Sequence, residues 1–169
     1  MEERENYQLY YKLDTHWNNA GAYIGFQQIQ YQYMNDSILP LKHVIKETIH
    51  VDEGDLSRMI QIDGLNDTEY KISYKDNIDV DQIDETVLNN MPVLRCTSTA
   101  DTNKKAVVFR DSYCTALIPF ISKDFRESLF ISSLGFDASI VKKENPDIVI
   151  YEMVERQVKN ILYAKHDLN

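Results

Sequence analysis

The hydrophobic pattern changes along the chain, from spaced apolar positions in the first half to short β-branched runs in the second. In the first half it predicts a helix over 19–35, strands over 42–51 and 70–74, and a short helix over 56–60 capped by Asp55. In the second half it predicts buried strands over 93–97, 107–109, 128–132 and 148–151, and helices over 113–120, 137–143 and 152–163. Alternating strands and helices indicate an α/β fold with a mainly parallel sheet covered on both faces.

An acidic stretch at residues 76–90 interrupts this pattern with five Asp or Glu residues. Such a cluster invites comparison with a calcium loop. However, the stretch contains no glycine and lacks the EF-hand spacing. We therefore interpret residues 76–90 as a solvated loop.

The segment Lys105–Tyr113 carries the first candidate for chemistry. A buried strand over 107–109 is followed by a polar break and then by a helix, which places Ser112 at a strand-to-helix turn. In open α/β sheets this turn lies at the carboxyl edge, where active sites are found, and the helix N-terminus offers N–H groups to an oxyanion. The turn after strand 148–151 is expected at the same edge. Asp-Ser is also a common N-cap pair, and the local sequence alone favours the capping role.

The stretch Asp14-Thr-His-Trp17 carries the second candidate. Residues two apart on an extended segment point to the same side, so Asp14 and His16 can reach one cleft. An imidazole can deprotonate a hydroxyl, and a carboxylate can hold the imidazole in one tautomer. With Ser112 they form a possible Ser–His–Asp set, and triads occur in several chain orders. Alone, Asp-x-His fits a surface carboxylate and a packed histidine as well.

Composition and charge disfavour several classes of binding partner. The 169-residue chain has a net charge of −9, which disfavours nucleic acid and anionic membranes. Cys96 and Cys114 fit no metal spacing and no disulfide framework, and whether they pair stays open. No stable metal and no cofactor are predicted. Cys114 either lines the site of Ser112 or is a buried thiol. The sequence shows no transmembrane run and no signal peptide.

Four stretches together resemble the alginate O-acetyltransferase-like branch of the SGNH hydrolases, which includes the bacterial DHHW family. They are Leu13-Asp-Thr-His-Trp-Asn18 with Gly21 and Tyr23, Gly54-Asp-Leu-Ser-Arg-Met59, Val108-Phe-Arg-Asp-Ser-Tyr113, and Pro146-Asp-Ile-Val-Ile150 with Glu152, Glu155 and Arg156. The resemblance covers nearly the whole chain. It implies a three-layer α/β/α SGNH domain over 1–169 with permuted motif order. Because a motif already stands at residue 14, we expect an N-terminal part, with an anchor or signal, to be missing.

The resemblance also implies an activity. Ser112 would be the nucleophile, His16 the base and Asp14 the orienting carboxylate of a carbohydrate O-acetyltransferase or acetylesterase. The acceptor would be a polysaccharide outside the cytoplasm, and the acetyl donor could be supplied by a membrane acyltransferase. The candidates to line the substrate cleft are Tyr113, Trp17, Arg156 and Arg110. For Tyr113 and Trp17 packing is the alternative role, and for Arg156 it is a salt bridge with Glu152 or Glu155.

Arg110 stands where the general SGNH motif has glycine, which leaves open how the oxyanion hole is built. Two other functions compete with catalysis. One is a non-catalytic polysaccharide-binding or assembly subunit that has kept the SGNH fold. The other is an interaction domain whose acidic residues 76–90 dock a basic partner.

Overall fold

The computed structural model describes residues 8–34, 44–74 and 78–159. The chain divides into two compact units, residues 1–76 and residues 77–169. The sequence predicts one domain over 1–169, and this stays a prediction. Within the described residues, no helix combines the length and the apolar character needed to cross a membrane.

Unit 1 contains helix α1 (Asn19–Met34), strand β1 (Val44–Val51), helix α2 (Asp55–Met59) and strand β2 (Asp67–Tyr74). The two strands form an antiparallel ladder, with Val51 opposite Asp67. Helix α1 packs against β2, and the backbone N–H of Ile72 donates to the side chain of Asn19. The predicted start of α1 is confirmed, whereas β2 begins three residues before the predicted Tyr70.

Asp55 does not cap α2 as predicted. Gly54 is the N-cap residue, in extended conformation, and Asp55 is the first residue of the helix. The Asp55 carboxylate instead accepts hydrogen bonds from Thr15, 40 residues earlier in the chain. This long-range contact removes the side chain from the capping role that the local sequence favours.

Unit 2 is built on a five-stranded sheet with the strand order β3-β4-β6-β5-β7. The strands are β3 (Val80–Leu88), β4 (Met91–Ser98), β5 (Lys105–Arg110), β6 (Glu127–Ser132) and β7 (Ile148–Tyr151). Strand β5 pairs in parallel with β6 and β7, whereas the β3–β4 and β4–β6 pairs are antiparallel. The α/β class is thus confirmed, but the sheet is mixed and its parallel part is limited to β5, β6 and β7.

The interpretation of residues 76–90 as a loop is wrong for most of its length. Residues 80–88 form β3, which pairs with β4 across a turn at Asn89 and Asn90. Both asparagines have positive φ (50° and 64°), the conformation of a two-residue hairpin turn that matches strand twist. Because β3 is an edge strand, it tolerates acidic side chains that would be costly in a central strand.

The central strands β5 and β6 are buried on both faces, since four consecutive residues of each are buried. One face packs in a cluster of Val93, Val107, Phe109, Leu129, Ile131 and Ile140, the last of these from helix α4 (Ala138–Glu144). Strand β7 was expected to be buried as well. It lies at the sheet edge instead, and its Val149 is 38% exposed.

The predicted helix over 113–120 is broken in two. A 3₁₀ helix over Ser112–Ala116 is followed by helix α3 (Ile118–Ile121), in which Pro119 occupies the first turn. Proline lacks the N–H that a continuous helix would need there. Of the predicted helix over 152–163, the structure describes residues up to 159, with a 3₁₀ helix over Glu155–Gln157.

Candidate functional site

The histidine loop, residues 13–17, brings two of the predicted catalytic residues together. The ring Nδ1 of His16 lies 2.6 Å from Asp14 Oδ1, and the His16 backbone N–H donates to the same oxygen at 2.9 Å. An ionised carboxylate can only accept, so Nδ1 donates and Nε2 is the nitrogen that can take up a proton. This is the tautomer that a histidine base needs.

Asp14 is held from a second side by the start of α2. Its Oδ2 accepts a hydrogen bond from the Asp55 backbone N–H at 3.1 Å, while Asp55 accepts from the Thr15 N–H at 2.7 Å. Burial alone would raise the pKa of Asp14, but the hydrogen bonds from His16 and from the Asp55 backbone lower it overall. Asp14 is therefore kept ionised next to the imidazole.

Gly54 allows this close approach. A Cβ at position 54 would lie 2.1 Å from the Leu13 carbonyl oxygen and 2.7 Å from Asp14 Cβ. The Leu56 N–H donates to the same Leu13 carbonyl at 3.0 Å. Without a side chain at residue 54, the backbone of the histidine loop can lie directly on the start of α2.

Trp17 belongs to the packing between the histidine loop and α1. A Cβ at Gly25 would lie 3.1 Å from the indole ring, and the Trp17 backbone forms a bridge with Tyr10. The next residue, Asn18, is fully buried; it accepts from the Gly21 N–H at 3.0 Å and donates to Glu69 at 2.8 Å. Asn18 therefore caps α1 and fixes the end of the loop.

The serine turn, residues 110–114, follows β5 at the carboxyl edge of the parallel strands, as predicted. The N-cap of the 3₁₀ helix is Asp111, whose Oδ1 accepts from the Tyr113 N–H at 2.8 Å. Its Oδ2 accepts from the Val154 N–H at 2.7 Å. The capping role thus falls to Asp111, and Ser112 is an exposed residue in the first turn.

Arg110, which stands where the general SGNH motif has glycine, adopts an ordinary backbone conformation. Among the described non-glycine residues, positive φ occurs at Gln61, Asn89, Asn90 and Asn145 alone. The Arg110 guanidinium folds over the serine turn, donating to the Asp111 carbonyl at 3.2 Å and to Thr115 Oγ1 at 3.0 Å. Arg110 therefore links the start of the serine turn to Thr115, the residue that follows it.

Tyr113 and Arg156, two predicted cleft residues, contact each other. The Arg156 guanidinium carbon lies 5.6 Å from the centre of the Tyr113 ring, in a cation–π arrangement. Tyr113 is buried and Arg156 is exposed, so the pair presents a cation above an aromatic ring close to Ser112 in the chain.

The sequence suggests for Glu152, which follows β7, a salt bridge with Arg156 but no role in the site. Its backbone N–H donates to the Phe109 carbonyl at 2.9 Å, and its Oε2 atom is buried. Burial, followed by the charge of Asp111, raises the pKa of Glu152 to about 7. The one sequence signal was its position after a strand whose end lies at the same edge as Ser112.

The two cysteines are free and buried, so Cys114 is a buried thiol rather than an exposed part of the site. Burial raises the pKa of Cys96 to about 11 and raises that of Cys114 further. Both thiols therefore stay protonated and unreactive near neutral pH.

One group of side chains among the described residues has the spacing of metal ligands. Ligand atoms of Asp14, His16 and Asp55 lie within 4.8 Å of one another. The oxygens of both carboxylates already accept hydrogen bonds within the loop and from the start of α2. The arrangement thus serves the imidazole and the backbone, and a metal is not needed to account for it.

Comparison with known proteins shows which solved structures share this fold. No family model and no curated protein matches the sequence. A DHHW family protein from Eubacterium siraeum matches at a TM-score of 0.70 and 17% identity, over 96% of this chain and 66% of that one. This chain has the fold of that DHHW family protein. The resemblance that the sequence motifs predicted is thereby confirmed.

Two structures of Bacillus cereus PatB1 match as well, one of them with a sulfonyl adduct. Their TM-scores are 0.63 and 0.65, at 15% and 17% identity, over 88% and 89% of this chain. The chain spans slightly less than two thirds of the length of these solved structures, between 63% and 66%.

Proposed function

We propose that the protein transfers or hydrolyses acetyl groups on a carbohydrate, with Ser112 as nucleophile, His16 as base and Asp14 as orienting carboxylate. The observation that supports this most is the Asp14–His16 pair, because the 2.6 Å contact at Nδ1 prepares Nε2 to accept a proton. The exposure of Ser112 at the carboxyl edge of β5 also supports it. The mechanism requires His16 Nε2 to reach Ser112 Oγ.

The reaction has two steps. His16 takes the proton of Ser112 as Oγ bonds to the carbonyl carbon of an acetyl ester, and the leaving alcohol receives that proton when the ester bond breaks. In the second step a sugar hydroxyl or water, deprotonated by His16, attacks the acetyl-serine and restores Ser112. The Asp14 carboxylate stabilises the imidazolium that forms in each step.

The proposed substrates and location follow from the resemblance rather than from the site. We propose a polysaccharide acceptor outside the cytoplasm and an acetyl donor, one source of which would be a membrane acyltransferase. Tyr113, Arg156 and Arg110 are the proposed cleft residues of unit 2. The two guanidinium groups would donate to sugar hydroxyls, and the buried Tyr113 ring would hold the Arg156 guanidinium in place. Trp17 is the proposed cleft residue of unit 1.

The test is labelling by an aryl sulfonyl fluoride, chosen because one PatB1 structure carries a sulfonyl adduct and because activated serines attack such groups. We expect one adduct on Ser112, and loss of both the adduct and 4-nitrophenyl acetate turnover in Ser112→Ala. His16→Asn and Asp14→Asn should each slow labelling at least about 100-fold. Ser139→Ala is the matched control, because Ser139 is also exposed in the first turn of a helix capped by an aspartate. Unchanged turnover in Ser112→Ala would exclude the triad.

One observation favours the alternative of a non-catalytic polysaccharide-binding or assembly subunit. The N–H of Tyr113, the residue that follows Ser112, donates to Asp111, so this backbone donor is already engaged. Such donors commonly form an oxyanion hole. A protein that binds an acetylated oligosaccharide in titration calorimetry, with the same affinity in Ser112→Ala and without labelling of the wild type, would fit this alternative.

A further inference from the structure

We propose that Glu69 is a positioning residue for the Asp14–His16 pair, and that it acts by fixing both ends of the segment that carries this pair. The inference rests on the proposed function, because it gives Glu69 a part in presenting the catalytic base. Glu69 lies on β2, outside the histidine loop, and only 3% of its surface is exposed. A glutamate is rarely buried to this extent unless its carboxyl group has hydrogen-bond partners or a counterion.

The Glu69 carboxyl group joins two residues that lie ten positions apart in the chain. Gln8 Nε2 donates to its Oε1 at 3.1 Å, and Asn18 Nδ2 donates to its Oε2 at 2.8 Å. Asn18 Nδ2 also donates to the Gln8 carbonyl at 2.8 Å. The segment over 8–18, which contains the histidine loop, therefore begins and ends at one buried carboxyl group.

The Asn18 side chain can take part in only one orientation. Its Oδ1 accepts from the Gly21 N–H at 3.0 Å, and because a backbone N–H can only donate, the amide oxygen must face α1. Nδ2 then faces Gln8 and Glu69. Since Asn18 is fully buried, the loss of Glu69 as acceptor would leave a buried donor without a partner, which folded proteins avoid.

Backbone contacts extend this constraint from the ends of the segment to His16. The Asn18 N–H donates to the Leu9 carbonyl at 3.0 Å, and the Tyr11 N–H donates to the His16 carbonyl at 3.3 Å. His16 thus lies two residues from Asn18 on a paired stretch, and a shift of Asn18 would move the imidazole as well. A displacement of about 1 Å at a catalytic group can cost about 100-fold in rate.

A cavity beside the segment explains why its ends need this attachment. The cavity has a volume of about 150 Å³ and is lined by Asp14 and Tyr11 on the segment and by Glu69 on β2. Because side chains do not fill this space, packing alone does not fix the segment against the strand. The nearby cation Lys12 pairs with Asp67, at 2.7 Å, so Glu69 serves the segment as a hydrogen-bond acceptor.

The experiment compares two substitutions of Glu69 in the full chain. Glu69→Leu removes both acceptors. Glu69→Gln keeps an oxygen for Asn18, and the exposed side chain of Gln8 can turn its own oxygen toward the new NH₂ group. Glu47→Leu is the matched control, because Glu47 is an exposed glutamate on β1, the strand paired with β2.

The first readout is the Nδ1 proton of His16 in ¹H NMR spectra. Its hydrogen bond to Asp14 is short and charge-assisted, so the proton resonates downfield of the backbone amides, and the signal is assigned by its loss in His16→Asn. We expect the signal to persist in Glu69→Gln and Glu47→Leu, and to move upfield or disappear in Glu69→Leu. An unchanged signal in Glu69→Leu would overturn the proposal.

Sulfonyl labelling of Ser112 supplies the second readout. Glu69→Leu should label at least about tenfold more slowly than wild type, and Glu69→Gln should recover most of the rate. If Glu69→Gln labels as slowly as Glu69→Leu, the hydrogen bond to Asn18 is not what positions the pair. If wild type does not label at all, the proposed catalysis fails, while the Nδ1 proton still decides whether Glu69 positions the imidazole.

Asn18→Ser keeps the test decisive if Glu69→Leu does not fold. Serine is a good N-cap residue, so the Gly21 N–H retains an acceptor, but the shorter side chain does not reach Glu69. We expect α1 to persist by circular dichroism, and the His16 signal and the labelling rate to fall as in Glu69→Leu. A folded Asn18→Ser variant with the wild-type signal would contradict the proposal.

Discussion

In the histidine loop a carboxylate faces an imidazole, whereas in the serine turn a carboxylate faces a second carboxylate. The two regions otherwise share a design. Asp14 accepts the N–H of Asp55 while Asp55 accepts the N–H of Thr15, and Asp111 accepts the N–H of Val154 while the Glu152 N–H donates to the Phe109 carbonyl. Each loop is thus fixed by carboxylates that accept backbone hydrogen bonds from distant parts of the chain.

The difference lies in what balances the charge. The pKa of Asp14 is lowered because hydrogen bonds outweigh burial, and the pKa of Glu152 is raised because burial and Asp111 outweigh Arg110. The Asp14 contribution to stability is therefore present at neutral pH and lost in acid. The Glu152 contribution is full below about pH 4.5 and is lost as the pH rises through about 7. One loop is built for a permanent charge, and the other for a charge that changes near neutral pH.

The largest effect is expected when the histidine loop is displaced from the start of α2, on which it lies. Gly54→Ala would place a Cβ 2.1 Å from the Leu13 carbonyl oxygen, and backbone atoms on both sides would have to move. We expect a loss of about 3 kcal/mol in the free energy of unfolding of unit 1. Trp17, the single tryptophan of the chain, lies in the loop and reports this unfolding by fluorescence in urea.

Gly135→Ala is the control for this substitution. The atom closest to its added Cβ would be Ser133 Oγ at 3.6 Å, an ordinary contact. Its unfolding free energy should stay within about 0.5 kcal/mol of wild type. Equal stability of the two alanine variants would mean that Gly54 does not hold the loop against α2.

Replacing an aspartate by asparagine in each region tests which hydrogen-bond donors hold the two loops. Asp111 accepts hydrogen bonds from two backbone N–H groups. In Asp111→Asn the side-chain NH₂ group would face one of these N–H groups, which cannot act as an acceptor. In Asp55→Asn the nitrogen can face the Thr15 hydroxyl, which can turn and accept. We expect a loss of about 2 kcal/mol for Asp111→Asn and less than about 1 kcal/mol for Asp55→Asn.

Chemical denaturation gives both free energies, and hydrogen exchange at the amides of Tyr113 and Val154 shows where the loss occurs. Exchange at both should accelerate in Asp111→Asn and stay unchanged in Asp55→Asn. Equal losses in the two variants would show that the identity of the donor, backbone or hydroxyl, does not matter.

The sequence predicted the local half of each region and missed the distant half. Asp14 and His16 are two residues apart, so their contact follows from chain geometry, and the serine turn follows from the β-branched run before it. Their partners, Asp55 for Thr15 and Val154 for Asp111, lie about 40 residues away, and nothing local marks these pairs. The resemblance included both segments but did not predict these contacts.

The missed strand β3 is a different kind of failure, because its signal was present. Asn89-Asn90 lies between Val87-Leu88 and Met91, and asparagine is among the residues that tolerate positive φ. The acidic composition of residues 76–90 favours a loop and conflicts with that turn signal. Composition describes the solvent-facing side of an edge strand, whereas the turn decides whether the strand pairs.

A third carboxylate, far from both loops in the chain, tests the electrostatic argument with the smallest expected effect. Glu144 forms a network with Arg95 and Lys105, with contacts of 2.9 Å and 2.5 Å. Hydrogen bonds from Arg95, opposed by burial and joined by Lys105, lower its pKa to about 2. Its contribution is thus present above about pH 4.5 and lost as the pH falls toward 2, the opposite of Glu152.

Glu144→Gln should therefore cost about 1 kcal/mol at pH 7, a value typical of ion pairs that solvent still screens. The cost should shrink as the pH falls from about 4.5 to 2. Over pH 5–8 it should stay flat, whereas the stability difference for Glu152→Gln should change in the same range, with the variant gaining on wild type as the pH rises. Urea denaturation of both variants at several pH values, beside Glu155→Gln, measures the two slopes. If the unfolding free energies of the two variants changed with pH in the same way, the opposite pKa shifts of Glu144 and Glu152 would be contradicted. Neighbouring cations and a neighbouring carboxylate would then have the same effect on a glutamate.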